Sequence, residues 1–282
     1  MQQNKHYISI HNFIDKSSEI ENEDAVKYFE DDNIIKIAMS DGAGGAGIYC
    51  KHWAEYLVDN QPEQSFKKDL ETNEWFLSTS KLFYKENIEL INKSDPFILE
   101  KFNTEGSYAT IMYVWLQKNI NQLSYTGIGD TTLFIFREIN NDYSPILITP
   151  INEQKNLNDF PKLVNWNKSL SYDLKSKVID IQPTDILIIC TDSLSRWLIY
   201  NLLILSPSET QDLLNNEIIN NISNISIEQF RTNESYENLS DLLSKIEQVI
   251  KEGSEYFQKV ISKKIKLNQV EKDDFSILFK RI

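Results

Sequence analysis

The stretch Asn33-Ile-Ile-Lys-Ile-Ala-Met-Ser40, Asp41-Gly-Ala-Gly-Gly-Ala-Gly47, Ile48-Tyr-Cys-Lys-His-Trp-Ala-Glu-Tyr-Leu-Val-Asp-Asn60 decides how the rest of the chain is read. Its first part is a short apolar run with β-branched residues, which predicts a buried strand. Its last part places Ile48, Tyr49, Trp53, Tyr56 and Leu57 near helical spacing. Between them stand an acid at the strand's end and a turn holding four of the chain's eight glycines. Glycine lets the backbone approach a ligand closely. A carboxylate beside bare carbonyls suits a hard cation such as magnesium or manganese.

Upstream, His6 to Asp15 predicts a first strand through Tyr7, Ile8, Ile10, Phe13 and Ile14. On charge alone, Glu21-Asn22-Glu23-Asp24 reads as a solvated loop. Downstream, a helix is predicted within Asn73–Asn92. Gly106-Ser107-Tyr108-Ala109-Thr110 opens a strand, Ile111–Leu116, and Asn119 and Asn121 flank a turn. A strand from Gln122 to Ile128 ends at Gly129-Asp130, Thr131–Arg137 follows, and Tyr143–Ile148 adds another. Short turns between strands indicate antiparallel sheet.

From Thr149 to Pro183 apolar residues are sparse, which reads as a long loop or lid. Asp185–Thr191 is the strongest strand signal, and it ends at Asp192. Ser206-Pro207-Ser208-Glu209 is a capping box with proline at the first helical position. Leu239, Leu242, Leu243, Ile246, Val249 and Ile250 form one helical stripe stopped by Gly253, and Tyr256 to Ile265 suggest another helix; such stripes read as core packing. Asp273-Asp274 leads into a closing strand, Phe275–Lys280.

With 282 residues, 41% hydrophobic and 25% charged, the chain can bury a full core. A formal charge of −13 argues against nucleic acid or anionic membrane as non-specific partners. Cys50 and Cys190 sit in apolar runs and read as buried thiols. Three histidines and two cysteines fall in no zinc-ligand spacing. The N-terminal residues carry no apolar signal segment and no run approaches a membrane span, so a cytoplasmic location is expected.

Asp41, Asp130 and Asp192 each follow a predicted strand, and Asp274 precedes one. Spacing alone leaves two readings open. Each acid caps its own turn, or the four converge on one rim and divalent cations relieve their repulsion. Two such ions ~3.5–4 Å apart can hold a water and clamp a phosphoryl group. No Ser/His/Asp pattern competes with that reading.

These residues resemble the metal-dependent serine/threonine phosphatases of the protein phosphatase 2C type, from about Ile8 to Arg281. Asn22-Glu23-Asp24-Ala25 looks like the family's first acidic motif. Ser40-Asp41-Gly42-Ala43-Gly44-Gly45 looks like its Asp-Gly-x-Gly-Gly motif. Gly106 to Thr110 with Gly129-Asp130 looks like its central hairpin. Thr191-Asp192-Ser193-Leu194 and Asp273-Asp274-Phe275-Ser276 look like its last two motifs.

The resemblance implies an α+β fold, a four-layer α-β-β-α sandwich with two central antiparallel sheets, in one catalytic domain over 1–282 with a flap at about 149–183. It implies hydrolysis of phosphoserine or phosphothreonine in proteins by water activated at a binuclear centre of Mn2+ or Mg2+. Asp41 would bridge the ions. Glu23 and the Gly42 carbonyl would complete one site, Asp192 and Asp274 the other, and Asp130 with Asp192 a third, weaker one. Asp24 would orient the water. A phosphoprotein substrate and an opposing serine/threonine kinase follow as expected partners.

The chain departs from the pattern at Ser193, where glycine is usual, and at Phe275, where asparagine is usual. The family's phosphate-binding arginine is replaced by Glu19, an acid that would repel a dianion, and Lys16 is the nearest upstream cation and the candidate phosphate ligand. Glu19 is the feature that favours a second reading, a pseudophosphatase acting as a phosphoprotein-binding module.

Overall fold

The structure, a computed structural model, describes residues 6–10, 22–45, 47–93, 95–157, 160–170, 174–222, 230 and 236–282. Lys16 and Glu19 lie outside the described residues, as do Phe13 and Ile14 of the expected first strand. The class is the expected α+β, with two five-stranded antiparallel sheets. The chain divides into two compact units: a glycine-turn unit, Ile20–Thr131 with Pro161–Ile181, and a terminal-strand unit, Met1–Glu19 with Thr132–Phe160 and Gln182–Ile282.

The terminal-strand unit contains β1 (Tyr7–Ile10), and the glycine-turn unit begins with β2 (Asp24–Glu30) and β3 (Ile34–Asp41). Helices α1 (Cys50–Asp59), α2 (Asp69–Ile91) and α3 (Pro96–Glu105) follow, then β4 (Tyr108–Ala109), β5 (Ile111–Gln117) and β6 (Gln122–Ile128). Next along the chain are β7 (Thr132–Ile139), β8 (Asp142–Thr149), β9 (Val164–Asn165), β10 (Lys177–Asp180) and β11 (Ile186–Cys190). The glycine-turn sheet runs β10-β6-β5-β3-β2, with β4 and β9 paired beside it.

Register explains why β3 and β5 read as continuous apolar runs. Ile37 pairs with Val114 and Met39 with Met112, all fully buried on one face. Ala38, Ile111, Tyr113 and Trp115 point to the other face and pack with Trp53, Leu57, Phe76 and Phe83 of α1 and α2. A sheet buried on both faces has no polar side to alternate with. Trp53 and Phe83 meet at 4.9 Å between ring centroids, and each such buried aromatic contributes roughly 1.5–3 kcal/mol of apolar burial. The Tyr113 hydroxyl, also inside, donates to the Leu57 carbonyl at 2.6 Å.

Several elements of this unit were not predicted, among them β2, α3, β9 and β10. In β2 only Asp24 and Ala25 are buried, so this edge strand carries charge where a strand pattern would show apolar residues. Helix α3 is announced by its caps: Asp95 accepts from the Phe97 N–H at 2.8 Å, Pro96 is its first residue, and Gly106 closes it at φ 75°. The expected lid segment is divided. Leu157 is buried with the terminal-strand unit. Residues 164–170 and 174–181 belong to the glycine-turn unit: β10 pairs with β6, the Thr126 hydroxyl donates to the Leu174 carbonyl at 2.7 Å, and the Trp53 indole donates to the Val164 carbonyl at 3.3 Å.

The terminal-strand unit closes with β12 (Phe275–Arg281), and its sheet runs β1-β12-β11-β7-β8. Phe134, Ile188 and Ile277 share its helix-facing side with Leu198 and Leu202 of α4 (Asp192–Leu205) and Leu242, Leu243 and Ile246 of α7 (Leu239–Glu252). Two short helices, α5 (Pro207–Leu213) and α6 (Asn216–Asn221), precede α7. Gly253 at φ 93° ends α7 and starts α8 (Ser254–Lys266), the stop that the sequence announces. The expected capping box at α5 does not form: the Ser206 hydroxyl donates to the Glu209 carboxylate at 2.8 Å and makes no bond to a backbone N–H, while the Ser206 N–H donates to the Leu202 carbonyl. Arg137 grips the buried Asp185 with two bonds, at 3.0 and 2.7 Å, fixing the entry to β11. No helix among the described residues is long and apolar enough to cross a membrane.

Candidate functional site

In the glycine-turn unit, β2 and β3 bring the first acids together. Asp24 stands directly opposite Asp41 in the ladder. One residue beyond each, the Gly42 N–H donates to the Glu23 carbonyl at 3.2 Å, and the Glu23 carboxylate accepts from the Gly44 N–H at 2.9 Å. The contact is close: a Cβ added at 44 would lie 2.2 Å from a Glu23 carboxylate oxygen, so any side chain there would displace the Glu23 carboxylate. At Gly42 an added Cβ would lie 2.8 Å from the Cys50 backbone. The glycine turn is thus folded tightly enough to deliver the Glu23 side chain and the end of β3 to one place.

Thr110 holds this turn from behind. Its hydroxyl accepts from the Asp41 N–H at 2.8 Å and is bonded to the Thr131 hydroxyl at 2.6 Å. Its backbone N–H donates to the Asp41 carbonyl at 2.9 Å, and its carbonyl accepts from the Ser40 hydroxyl at 2.6 Å. Gly129, at φ 105°, lies against the Thr110 side chain: an added Cβ would sit 2.5 Å from the Thr110 methyl carbon. Neither threonine stands out in the sequence as a functional residue; the signal was Thr110 closing the Gly106–Thr110 motif.

In the terminal-strand unit, the end of β11 and the start of β12 meet. The Thr191 N–H donates to the Ser276 carbonyl and the Ser276 N–H to the Thr191 hydroxyl, both at 3.1 Å. Asp192 and Asp274 therefore leave neighbouring strands at the same end. Asp192 is the first residue of α4 rather than part of a loop. Its carboxylate accepts from the Ser193 N–H and from Arg196, one helical turn on, and Arg196 also reaches Glu271 at 3.2 Å. Asp273 turns its carboxylate onto the Asp274 N–H at 2.9 Å, a local turn bond. Arg196 was not singled out from the sequence; its i,i+4 spacing from Asp192 was the available signal.

Among the described residues no group of three histidine, cysteine, aspartate or glutamate side chains stands close enough to hold a metal ion. The donors themselves fit a hard divalent cation: Glu23, Asp24, Asp41, Asp130 and the Gly42 carbonyl offer only oxygen. Like charges directly opposite across a strand pair are destabilising, and a cation relieves them. The two thiols are poor competitors for any chemistry, because burial pushes Cys50 up to about 11 and Cys190 up to about 12. Both are free and buried, as the sequence indicates.

No protein-family model matches the chain, and no curated protein matches it. Among solved structures, a serine/threonine phosphatase of S. agalactiae is 16% identical, with 97% of each chain covered and a TM-score of 0.46. The serine/threonine phosphatase Stp1 of Staphylococcus aureus is 10% identical over 98% of this chain and 93% of that one, at a TM-score of 0.47. The catalytic domain of the serine/threonine protein phosphatase PstP, in complex with two manganese ions, is 12% identical over 97% of this chain and 95% of that one, at 0.45. At these identities and scores the likeness carries no residue role to this chain.

Proposed function

We propose that the chain is a metal-dependent phosphatase of the protein phosphatase 2C type, acting on phosphoserine or phosphothreonine in proteins. The observation that carries the proposal is the Asp24–Asp41 pair closed by the glycine turn, with Glu23 held on Gly44. Glu23, Asp41 and the Gly42 carbonyl are assigned to one ion of Mn2+ or Mg2+. By the sequence resemblance Asp192 and Asp274 are assigned to a second, and Asp130 to a third, weaker one. Asp274 is preferred to Asp273 because it stands directly before β12. When bound, such ions polarise a phosphoryl oxygen and make water a better nucleophile.

The chain's own residues do the rest. The Gly44 N–H orients the Glu23 carboxylate, and Thr110 fixes the backbone of Asp41. Asp24 orients the attacking water. Both thiols are held protonated by burial and so are poor nucleophiles, and direct attack by water is the proposed route. The substrate would be a phosphorylated protein with an opposing serine/threonine kinase, in the cytoplasm.

Hydrolysis of an aryl phosphate and a phosphothreonine peptide, with and without manganese, tests the proposal. Manganese-dependent release of phosphate from both is expected. Glu19, an acid where the resemblance expects arginine, favours the second reading of a phosphoprotein-binding pseudophosphatase. Absence of turnover with retained phosphopeptide binding would select it.

A further inference from the structure

Helix α2 of the glycine-turn unit has 23 residues and so runs about 34 Å at 1.5 Å per residue. A surface helix ordinarily carries one apolar stripe, turned to the core. This helix carries two. Phe76 and Phe83 are buried and pack in the core with Trp53, and Thr79 is buried on the same side. On the outward side Leu70, Leu77 and Tyr84 recur every seven residues, at 66%, 56% and 37% exposure. A helix drifts by only about 20° over seven residues, so the three form one line. Tyr84 is held in that line by its ring, stacked on Phe102 at 6.1 Å between centroids.

The charges beside the stripe say what covers it. Glu74 and Lys81 are exposed and lie on the same flank, about 60° and 40° round the helix from Leu77. Among the described residues neither has an ion-pair partner. Two copies of α2 laid antiparallel, with a two-fold axis at Leu77, bring equal flanks together. Leu77 then meets its own copy and Leu70 meets Tyr84. Glu74 meets Lys81 once on each side of the axis. Glu71 and Lys85, farther round the same flank, repeat the pattern. A parallel pair would instead set this charged flank against the opposite one, where the nearest residues are the uncharged Asn73 and Ser80. Flanking charges of this kind set partner and orientation in helix pairs.

We propose that α2 is a homodimerisation helix: a second copy of this chain docks antiparallel on Leu70, Leu77 and Tyr84, its register fixed by two Glu74–Lys81 pairs. The contact is isologous, each copy offering the same patch. One helix per copy makes a small interface, so a dissociation constant of about 1–100 μM is expected. The face contains none of the proposed metal ligands, and the proposal stands whether or not the chain is a phosphatase.

Sedimentation equilibrium from about 1 μM to about 1 mM tests this. The wild type is expected to pass from monomer to dimer and no further, because an isologous contact closes on itself. Leu77→Glu sets two carboxylates together at the axis and should leave a monomer throughout. Glu74→Lys and Lys81→Glu should each weaken self-association at least tenfold. An equimolar mixture of those two variants should dimerise again, since each supplies the charge that the other lacks. A Leu77→Glu dimer as tight as the wild type, or a mixture no tighter than either charge variant alone, would overturn the proposal. A wild type that stays monomeric at about 1 mM would also overturn it and leave the stripe to a partner of another kind. All four positions are exposed, and the charge-variant series decides alone if Leu77→Glu fails to fold.

Discussion

Asp24 and Asp41 face each other across the β2–β3 ladder, two acids directly paired at the mouth of one hairpin. Asp24→Asn removes the like-charge pair and should raise the stability of the metal-free protein by about 0.5–1 kcal/mol. Manganese should raise the melting temperature of the wild type, because a ligand bound only by the native state stabilises it. Asp41→Asn should abolish that rise and most metal-dependent turnover. An undiminished manganese shift in Asp41→Asn would remove Asp41 from the proposed centre.

Glu23 and Gly44 should behave as one unit. In Gly44→Ala the new methyl group displaces the Glu23 carboxylate and breaks its 2.9 Å bond to the residue 44 N–H. Gly44→Ala is expected to cost about 1 kcal/mol and to weaken manganese binding. In a Glu23→Ala background the same change should be close to neutral, since the clash is gone. Additive effects in the double variant, read by urea unfolding, would show that the two residues do not communicate.

The Thr110 hydroxyl joins the Asp41 N–H to the Thr131 hydroxyl inside the protein. Thr110→Val keeps the shape and leaves both partners unsatisfied, at an expected cost of roughly 1–3 kcal/mol. Thr110→Ser should recover most of it. A larger loss for serine than for valine would point to packing of the methyl group instead.

Lys264 should oppose folding in a pH-dependent way. Its folded value is about 7, against 10.5 when solvated, because burial penalises the ammonium. Between those values the unfolded chain holds a proton that the native chain does not. Its contribution to stability therefore falls as pH drops from 10.5 to 7 and is constant below. Lys264→Met should be more stable than wild type by on the order of 3–5 kcal/mol at pH 6, with the gap narrowing steadily toward pH 10. A gap of the same size at pH 6 and pH 10, from unfolding curves, would contradict this.

Much of the fold was legible because burial on both faces writes itself as uninterrupted apolar runs. Ile186–Cys190 was bounded to within a residue for that reason, Gln122–Ile128 by the asparagine turn before it and Gly129-Asp130 after it, and Leu239–Glu252 by its stripe and Gly253. The elements that escaped are those whose burial is slight. β2 and β10 are sheet edges with mostly exposed side chains, so neither carries an apolar period. At the candidate site, the acids at strand ends could be found because carboxylates in such places need a reason. Thr110, Thr131 and Arg196 could not, because their roles arise from register and helical spacing that only the folded chain brings together.

The position of β12 sets a condition on how this protein is made. The strand lies between β1 and β11, with a full ladder on each side. A ribosome delivers β1 before the other strands described here and β12 after them, so β1 has no partner in its sheet until residues 275–281 have emerged. Early folding is open to the glycine-turn unit, but even there β10 arrives only after β7 and β8 have been released. Nascent chains should thus carry an open, strongly apolar sheet edge for most of synthesis, the condition under which chaperones and strand-mediated aggregation compete. A premature stop anywhere before β12 would remove the middle of the sheet rather than trim its border.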